Sequence, residues 1–162
     1  MPNSGMNVIT AQRDDWMTPP ALFTPLNERF GFTIDAAASS GNHLLPRFWN
    51  AEDDAISKDW SGERVFCNPP FSLKGRFAQK AATSDAVVVA MVLPALGLEQ
   101  KWVHDWVIPY ASEIIVLRGR VRFVPPEGVI ETSPRFGTMV VVWNGNDNKT
   151  CQVTSLRLEL PI

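Results

Sequence analysis

Apolar residues recur at helical spacing in the first part of the chain. The set is bounded by Thr18-Pro19, which predicts an N-cap followed by a first helical residue, and by Gly31, which predicts a C-terminal stop. Its members are Leu22, Phe23, Leu26 and Phe30. Because a proline removes a helical hydrogen bond, Pro25 predicts that this segment forms two short helical turns.

Short runs of apolar and β-branched residues predict a series of strands farther along. They occupy residues 32–35, 47–50, 65–67, 86–93, 113–117, 121–124 and 138–143. The run 86–93 is apolar throughout, which suits a strand buried on both faces of a parallel sheet. A turn of helix is predicted at 52–58, and helices are predicted at 75–83 and at an apolar stripe that Pro109 ends. The stripe consists of Trp102, Val103, Trp106 and Val107.

Strands and helices therefore alternate up to about residue 117, after which strands dominate. This order predicts an α/β fold, in which a mostly parallel sheet carries helices on both faces and an antiparallel hairpin at its edge. The length of 162 residues predicts a single domain. We expect this domain to span residues 15–162 and to follow a flexible polar arm at residues 1–14.

The charge and the cysteine content limit the classes of function. A net charge of −2 and a sequence pI of about 5.7 argue against a protein that simply coats nucleic acid, but they permit an enzyme with its basic residues on one face. Cys67 and Cys151 form no Cys-x-x-Cys pattern, which argues against a disulfide scaffold or a zinc site. Neither a secretory signal nor a membrane-length apolar run is present. We therefore expect a cytoplasmic protein.

The tetrapeptide Asn68-Pro69-Pro70-Phe71 directly follows the predicted strand at 65–67. In open α/β sheets, ligands bind beyond the carboxyl ends of the strands. Two successive prolines fix φ and remove two N–H donors, so they make a stiff loop whose carbonyls can face a ligand. The Asn68 side chain adds another carbonyl acceptor. The alternative is an ordinary turn before a helix, since Asn-Pro and Pro-Pro are common turn dipeptides.

Such a loop suits the exocyclic amine of adenine, which has two N–H donors. The side-chain oxygen of Asn68 and the backbone carbonyl of Pro69 would hold both hydrogens and aim the nitrogen lone pair at an incoming methyl group. Phe71 would stack on the ring. Because this amine lies inside the duplex, the base would first be flipped out of the helix.

The sequence around this loop resembles the small phage-type DNA N-6-adenine methyltransferases. Asn68-Pro69-Pro70-Phe71 matches their Asn/Asp-Pro-Pro-Tyr/Phe motif, and further matching blocks occur in the expected order across roughly residues 14–145. These blocks are residues 15–19, 32–39, 52–55, 59–60 and 118–123. The tetrapeptide is moderately specific, and the ordered set is much more so.

The resemblance implies a Rossmann-like methyltransferase fold with S-adenosylmethionine as the methyl donor and DNA as the substrate. It assigns catalysis to the four residues of the loop. Ala36-Ala37-Ala38 replaces the Gly-x-Gly loop usual in this fold, and the interval from Asp35 to Asn68 is short. We therefore expect a compact variant of the fold. A phage origin, implied by the resemblance alone, would place the protein in the cytoplasm of a bacterial host.

The resemblance also predicts which residues hold the donor. Asp35 matches the cofactor-binding position, where its carboxylate would hold the donor's ammonium beside Ala36 and Ala37. Its alternative role is that of an ordinary strand-end acid. Thr18 matches a segment near the methionine end of the donor, and Trp16 would pack on the donor.

Two further acids have open interpretations. Asp54 would accept the ribose hydroxyls of the donor, or it belongs to a solvated charge run at 52–54. Asp59 would contact the adenine end of the donor, or it caps a turn. No metal is expected, since His43 and His104 lack a partner pattern for a metal site or a catalytic triad.

Basic residues predict DNA contacts in two places. Three arginines occupy alternate positions in the predicted strand at 121–124 and just before it. They would therefore project from one face of the strand and contact DNA phosphates. Alternatively, this face of the strand is only exposed to solvent. The three arginines are Arg118, Arg120 and Arg122. Lys74 and Arg76 follow the loop and predict a basic rim beside the base. Arg135 lies on a substrate-facing loop or on a plain hairpin connection.

Two other functions fit the same residues. A methyltransferase for RNA bases or protein glutamine would use the same loop, because these substrates also present a planar nitrogen. A catalytically silent DNA-binding protein with this fold would explain the altered glycine loop. Since the chain is too short for a separate target-recognition domain, we expect low sequence specificity or specificity from short loops.

Overall fold

Residues 16–127, 136–145 and 150–159 are the part of the chain that the computed structural model describes. They build one six-stranded sheet with helices packed on both faces. The strands are β1 Ile34–Asp35, β2 Arg64–Cys67, β3 Val88–Pro94, β4 Glu113–Arg118, β5 Thr138–Asn144 and β6 Gln152–Arg157. The predicted arm at 1–14 lies outside these residues.

The strand order is β1-β2-β3-β5-β4-β6. β5 runs antiparallel to its neighbours β3 and β4, and the other pairings are parallel. The predicted α/β class and mostly parallel sheet are confirmed. The predicted antiparallel edge hairpin is wrong, because β5 lies inside the sheet. Six of its seven residues are buried, which requires a neighbouring strand on each side and a covered face above and below.

Helix α1, Pro20–Phe30, covers one face of the sheet with four buried apolar side chains. It runs unbroken through Pro25, so the predicted division into two turns is wrong; burial of those side chains outweighs the hydrogen bond that the proline removes. The N-cap is Pro19, so the prediction that Thr18 caps the helix is wrong. Gly31 ends the helix as predicted, in the left-handed conformation that favours glycine.

Helix α2, Lys74–Thr83, and a π-helical segment, Val103–Val107, cover the other face. The predicted helix at 75–83 is thus confirmed, and the predicted turn of helix at 52–58 is a 3₁₀ turn at Ala55–Ser57. A second 3₁₀ turn, Phe71–Leu73, leads into α2. Within the described ranges, no helix is long and apolar enough to cross a bilayer.

Two predicted strands form only single bridges. Residues 47–50 pair with β1 through Phe48 and Asp35, and residues 121–124 pair with the N-terminal segment through Val124 and Met17. Gly119, with φ 81°, lies directly after β4 and turns the chain away from it. The alternating arginines therefore do not share one strand, because only the first of them lies within β4.

Basic residues outnumber acids at one end of the sheet. At the starts of β2, β3 and β4, which we call the amino end, Glu63 and Glu113 pair with Arg47 and Arg29, and Asp85 and Arg64 also lie there. At the opposite, carboxyl end, these strands and β6 finish, and β5 begins. The basic residues at or beyond the carboxyl end are Lys74, Arg76, Lys101, Arg118, Arg120, Arg122 and Arg157, and the acids there are Asp35, Glu99, Asp105, Glu127 and Glu159. The carboxyl end is therefore the basic end, although the chain has a net charge of −2.

Candidate active site

The carboxyl ends of β1 and β2 bring the predicted acid and the predicted loop together. Asp35 pairs in register with Phe66 on the neighbouring strand, and Ala36 N–H donates to the Phe66 carbonyl at 2.9 Å. Asn68 follows two residues later, directly after β2. Parallel pairing therefore places Asp35 and Asn68 at adjacent strand ends, where ligands bind in open α/β sheets.

The side-chain amide of Asn68 is held by the N-terminal segment. Its Nδ2 donates to the Trp16 carbonyl at 3.1 Å, which turns Oδ1 away from that carbonyl. In the next turn the Pro70 carbonyl accepts from Leu73 N–H at 2.9 Å. Among residues 16–127, 136–145 and 150–159, no group donates a hydrogen bond to Asn68 Oδ1 or to the Pro69 carbonyl. The loop therefore offers the two acceptors that the sequence predicted for an amine.

Phe71 lies at the end of this loop with 38% of its surface exposed. The Lys74 ammonium lies 4.0 Å from the centre of its ring, and the Phe136 ring lies 5.9 Å away, centre to centre. Partial burial lowers the pKa of Lys74. Phe71 is thus a partly exposed aromatic ring with a cation over one of its faces, which suits contact of the remaining surface with a base and of the cation with a phosphate.

Asp35 is an almost fully buried acid, with 3% of its surface exposed. Burial raises its pKa to about 6, although the Leu44 and Ala37 backbone N–H groups and the nearby His43 each lower it. The Leu44 N–H donates to Oδ2 at 3.0 Å. A buried carboxylate without a paired cation is costly, so this position favours a cationic ligand.

Two buried polar atoms of the N-terminal segment are unsatisfied within the described part of the chain: Trp16 Nε1 and Thr18 Oγ1. They flank Met17, which exchanges two backbone hydrogen bonds of 2.9 Å with Val124. Buried donors and acceptors are nearly always paired, so these two atoms suit a polar ligand. The hydrogen bond from Asn68 to the Trp16 carbonyl connects their segment to the strand end that neighbours Asp35, whose carboxylate fits a cationic group.

Ala36 and Ala37 follow β1 directly. Ala36 is buried in the core, and Ala37 is half-buried with its N–H directed to Asp35. The N–H groups of Ala36 and Ala38 donate to the Phe66 and Trp49 carbonyls, so the backbone of this loop is fixed at the end of β1. Both residues thus remain beside Asp35, where the sequence placed them.

The structure does not bring the other two predicted cofactor acids to this cluster. The Ser61 hydroxyl and then its N–H, which donates to Asp59 at 2.9 Å, lower the pKa of Asp59, and this fits the turn-capping alternative. Asp59 lies on the turn before β2, at the amino end of the sheet. Asp54 is exposed, in the left-handed region at φ 51°, before the 3₁₀ turn. Their roles in cofactor binding stay predictions.

The predicted DNA-binding arginines lie at the same end of the sheet as Asn68. Arg118 ends β4, and Arg120 and Arg122 lie on the segment that continues to Val124; all three are exposed. Through Val124 this segment pairs with Met17, next to the residue that holds Asn68. Arg135 lies outside the described residues.

A groove of about 700 Å³ opens beside Phe71, between α2 and the π-helical segment. We call it the basic groove. Its main charged and aromatic residues are Phe71, Lys74, Arg76, Lys101, Trp102 and Trp106. The sequence predicted DNA contacts at Lys74 and Arg76. It did not predict the other side of the groove, because the spacing of Trp102 and Trp106 is typical of the buried face of a helix. No cluster of three metal-binding side chains occurs in the ranges that the structure describes.

Comparison with known proteins gives the same family as the motif. The model of the family DNA N-6-adenine-methyltransferase (Dam) matches residues 5–157. A protein of Escherichia phage T1 named DNA N-6-adenine-methyltransferase is 35% identical over 79 residues, which are 48% of this chain and 33% of the relative. One of the same name from Haemophilus phage HP1 is 27% identical over 131 residues, 78% of this chain and 75% of the relative.

Proposed function

Since the chain belongs to the DNA N-6-adenine-methyltransferase family, we propose that it transfers a methyl group from S-adenosylmethionine to the exocyclic amine of adenine in DNA. In this proposal residues 15–162 form a compact Rossmann-like methyltransferase domain. The observation that carries it is the adjacency of Asn68 to Asp35, because this puts two amine acceptors beside a buried anion at one end of a sheet.

The loop binds the target amine and orients it. Asn68 Oδ1 and the Pro69 carbonyl each accept one N–H of the amine, which favours a tetrahedral nitrogen with a localised lone pair. The Trp16 carbonyl fixes the Asn68 amide in the orientation that this requires. Phe71 stacks on the flipped base, and Pro70 stiffens the loop. Most of the rate gain would come from holding the nucleophilic nitrogen toward the methyl group. As the N–C bond forms and the S–C bond of the donor breaks, the amine would release one of the two hydrogens held by Asn68 Oδ1 and the Pro69 carbonyl to water as a proton.

The donor, when bound, supplies an electrophilic methyl group. Asp35 pairs with its ammonium, and Ala36 and Ala37 allow its close approach to the backbone. Trp16 Nε1 and Thr18 Oγ1 gain the hydrogen-bond partners that they lack among the described residues. Asp54 and Asp59 are weaker candidates for its ribose and adenine ends, since no contact connects them to this cluster.

Substitution of Thr18 by valine tests the cofactor contact. Thr18→Val keeps the shape of the side chain and removes the unsatisfied hydroxyl, so we expect the donor-free protein to become more stable by about 1 kcal/mol. The affinity for S-adenosylmethionine should fall about tenfold, because one hydrogen bond to the ligand is lost. Denaturant unfolding and calorimetric titration measure the two effects. Lower stability with unchanged affinity would mean that the hydroxyl has only a structural role.

DNA binds at the basic carboxyl end of the sheet. Arg118→Gln removes one exposed cation there, so we expect the slope of log affinity against log salt to fall by about 0.9. Arg29→Gln is a matched control, because Arg29 is also exposed but pairs with Glu113 at the amino end, 2.6 Å away. Equal losses in the two variants would show that only the net charge matters and that Arg118 makes no phosphate contact.

The reaction itself is tested by offering labelled S-adenosylmethionine with unmethylated DNA, RNA or a glutamine-containing peptide. We expect label on adenine in DNA. Label on RNA or on the peptide alone would show that the proposed substrate is wrong, while the proposed methyl transfer from S-adenosylmethionine would stand. DNA binding without any donor binding would instead make this a silent member of the family.

A further inference from the structure

We propose that the basic groove binds the stretch of the target strand next to the flipped adenine. This inference rests on the proposed function. The groove begins where the base-binding surface ends, since Phe71 belongs to both. A strand whose adenine lies on Phe71 therefore has to pass one of the openings beside that ring, and the groove is such an opening.

The charges of the groove suit a phosphodiester backbone. Lys74 and Arg76 project from the first turn of α2, and Lys101 lies on the opposite side. Asp105 is the acid in its lining, and it forms an i,i+4 ion pair with Lys101. The lining therefore carries a net positive charge, which attracts phosphates.

The aromatic residues of the groove suit an unstacked base. Trp102 and Trp106 both line it and are half-buried, so part of each indole faces the groove. Trp102 is fixed by a 2.7 Å hydrogen bond from its Nε1 to Gln100 Oε1 and by close packing on Gly75, where a Cβ would lie 3.2 Å from its ring. Grooves that combine cations with aromatic faces bind single-stranded nucleic acid irrespective of sequence.

Lys74 joins the two surfaces. Its ammonium lies 4.0 Å from the centre of the Phe71 ring and 3.4 Å from the Phe71 carbonyl, and its side chain also lines the groove. If the phosphate of the target nucleotide lies at Lys74, the base of that nucleotide lies on Phe71 and the next nucleotide of the strand lies in the groove. Strand contacts on both sides of Lys74 would keep the flipped base from returning to the duplex.

Lys101→Gln and Trp106→Leu test the groove, with Arg29→Gln and Trp106→Phe as controls. The Lys101 side chain is 87% exposed, so its loss leaves the fold intact. We expect Lys101→Gln to raise the KM for DNA several-fold at unchanged kcat and to lower the salt slope by about 0.7 to 0.9. Trp106→Leu should weaken DNA binding about tenfold through lost stacking, whereas Trp106→Phe should retain most of it.

Truncated oligonucleotides locate the contact. DNA that ends directly beside the target adenine on the groove side should bind equally to the wild type and to Lys101→Gln, while truncation on the other side should preserve their difference. A wild type that methylates DNA while both groove variants bind normally would overturn this proposal and leave the proposed function intact. A Lys101→Gln defect that persists with both truncations, or that Arg29→Gln matches, would also overturn it. A wild type that methylates no DNA would overturn the proposed function itself.

Discussion

Replacement of Asn68 by alanine is expected to lower kcat for methyl transfer to DNA about 10²- to 10³-fold while the affinity for S-adenosylmethionine stays within about twofold. One of the two acceptors of the target amine is lost, and removal of a single preorganised polar group at a reacting atom costs roughly 3–4 kcal/mol of activation free energy. Single-turnover transfer of labelled methyl to DNA measures the rate, and calorimetric titration measures donor binding.

Asn68→Asp distinguishes the role of the side-chain oxygen, which accepts from the amine, from that of the side-chain NH₂ group, which holds the oxygen in position. The carboxylate still accepts from the amine, but it cannot donate to the Trp16 carbonyl, which lies 3.1 Å from Nδ2 in the wild type. We therefore expect a rate between those of the wild type and the alanine variant. An aspartate variant as slow as the alanine variant would assign the role of Asn68 to its contact with Trp16. An alanine variant with normal kcat would refute the proposed mechanism.

Asp35→Asn is expected to weaken S-adenosylmethionine binding about 30- to 150-fold and to stabilise the donor-free protein at pH 8. The loss in binding corresponds to about 2–3 kcal/mol, as expected when a buried charge pair loses one member. The gain in stability arises because the variant no longer buries a carboxylate whose ionised form is disfavoured by burial. Binding and stability thus move in opposite directions, which a purely structural role would not produce.

The pH dependence follows from the pKa of Asp35, which burial raises from 3.8 to about 6. The folded protein binds a proton more tightly at this site than the unfolded chain, so this stabilisation is fully present below about pH 4. It is lost as the pH rises through 6, and the total change is about 3 kcal/mol. Donor binding has the opposite trend, because the ionised carboxylate holds the ammonium, so its affinity should rise between pH 5 and pH 7.

Denaturant unfolding of the donor-free protein at pH 4, 6 and 8 tests this dependence in the wild type and in Asp35→Asn. The Asp35 contribution should be missing from the variant. Asp85→Asn, an exposed acid at the amino end of the sheet, is the matched control and should keep the wild-type profile. An Asp35→Asn variant that binds the donor normally would mean that Asp35 is an ordinary strand-end acid.

Much of the fold could be predicted because local spacing reflects burial. The apolar run 86–93 contains most of the fully buried strand β3, and the four apolar residues at helical spacing are the buried face of α1. The position of β5 could not be predicted in the same way. Its apolar run predicts a strand, but its pairing with β3 and β4 depends on residues 23 to 56 positions away.

The sequence by itself determined five of the six strands, β1 to β5, most of the helices and the Asn68-Pro69-Pro70-Phe71 loop, because periodicity and proline act on the backbone within a few residues. It did not predict β6, and its predicted strands at 47–50 and 121–124 form only single bridges. Only the tertiary structure decided how the site is assembled. The hydrogen bond from Asn68 to Trp16 spans 52 positions, and the bridge between Met17 and Val124 joins two distant segments at the carboxyl end of the sheet. Contacts of this kind leave no periodic trace, since either residue alone is compatible with many partners. The basic groove likewise exists only because α2 and the π-helical segment pack closely at Gly75, where the lack of a side chain lets Trp102 approach.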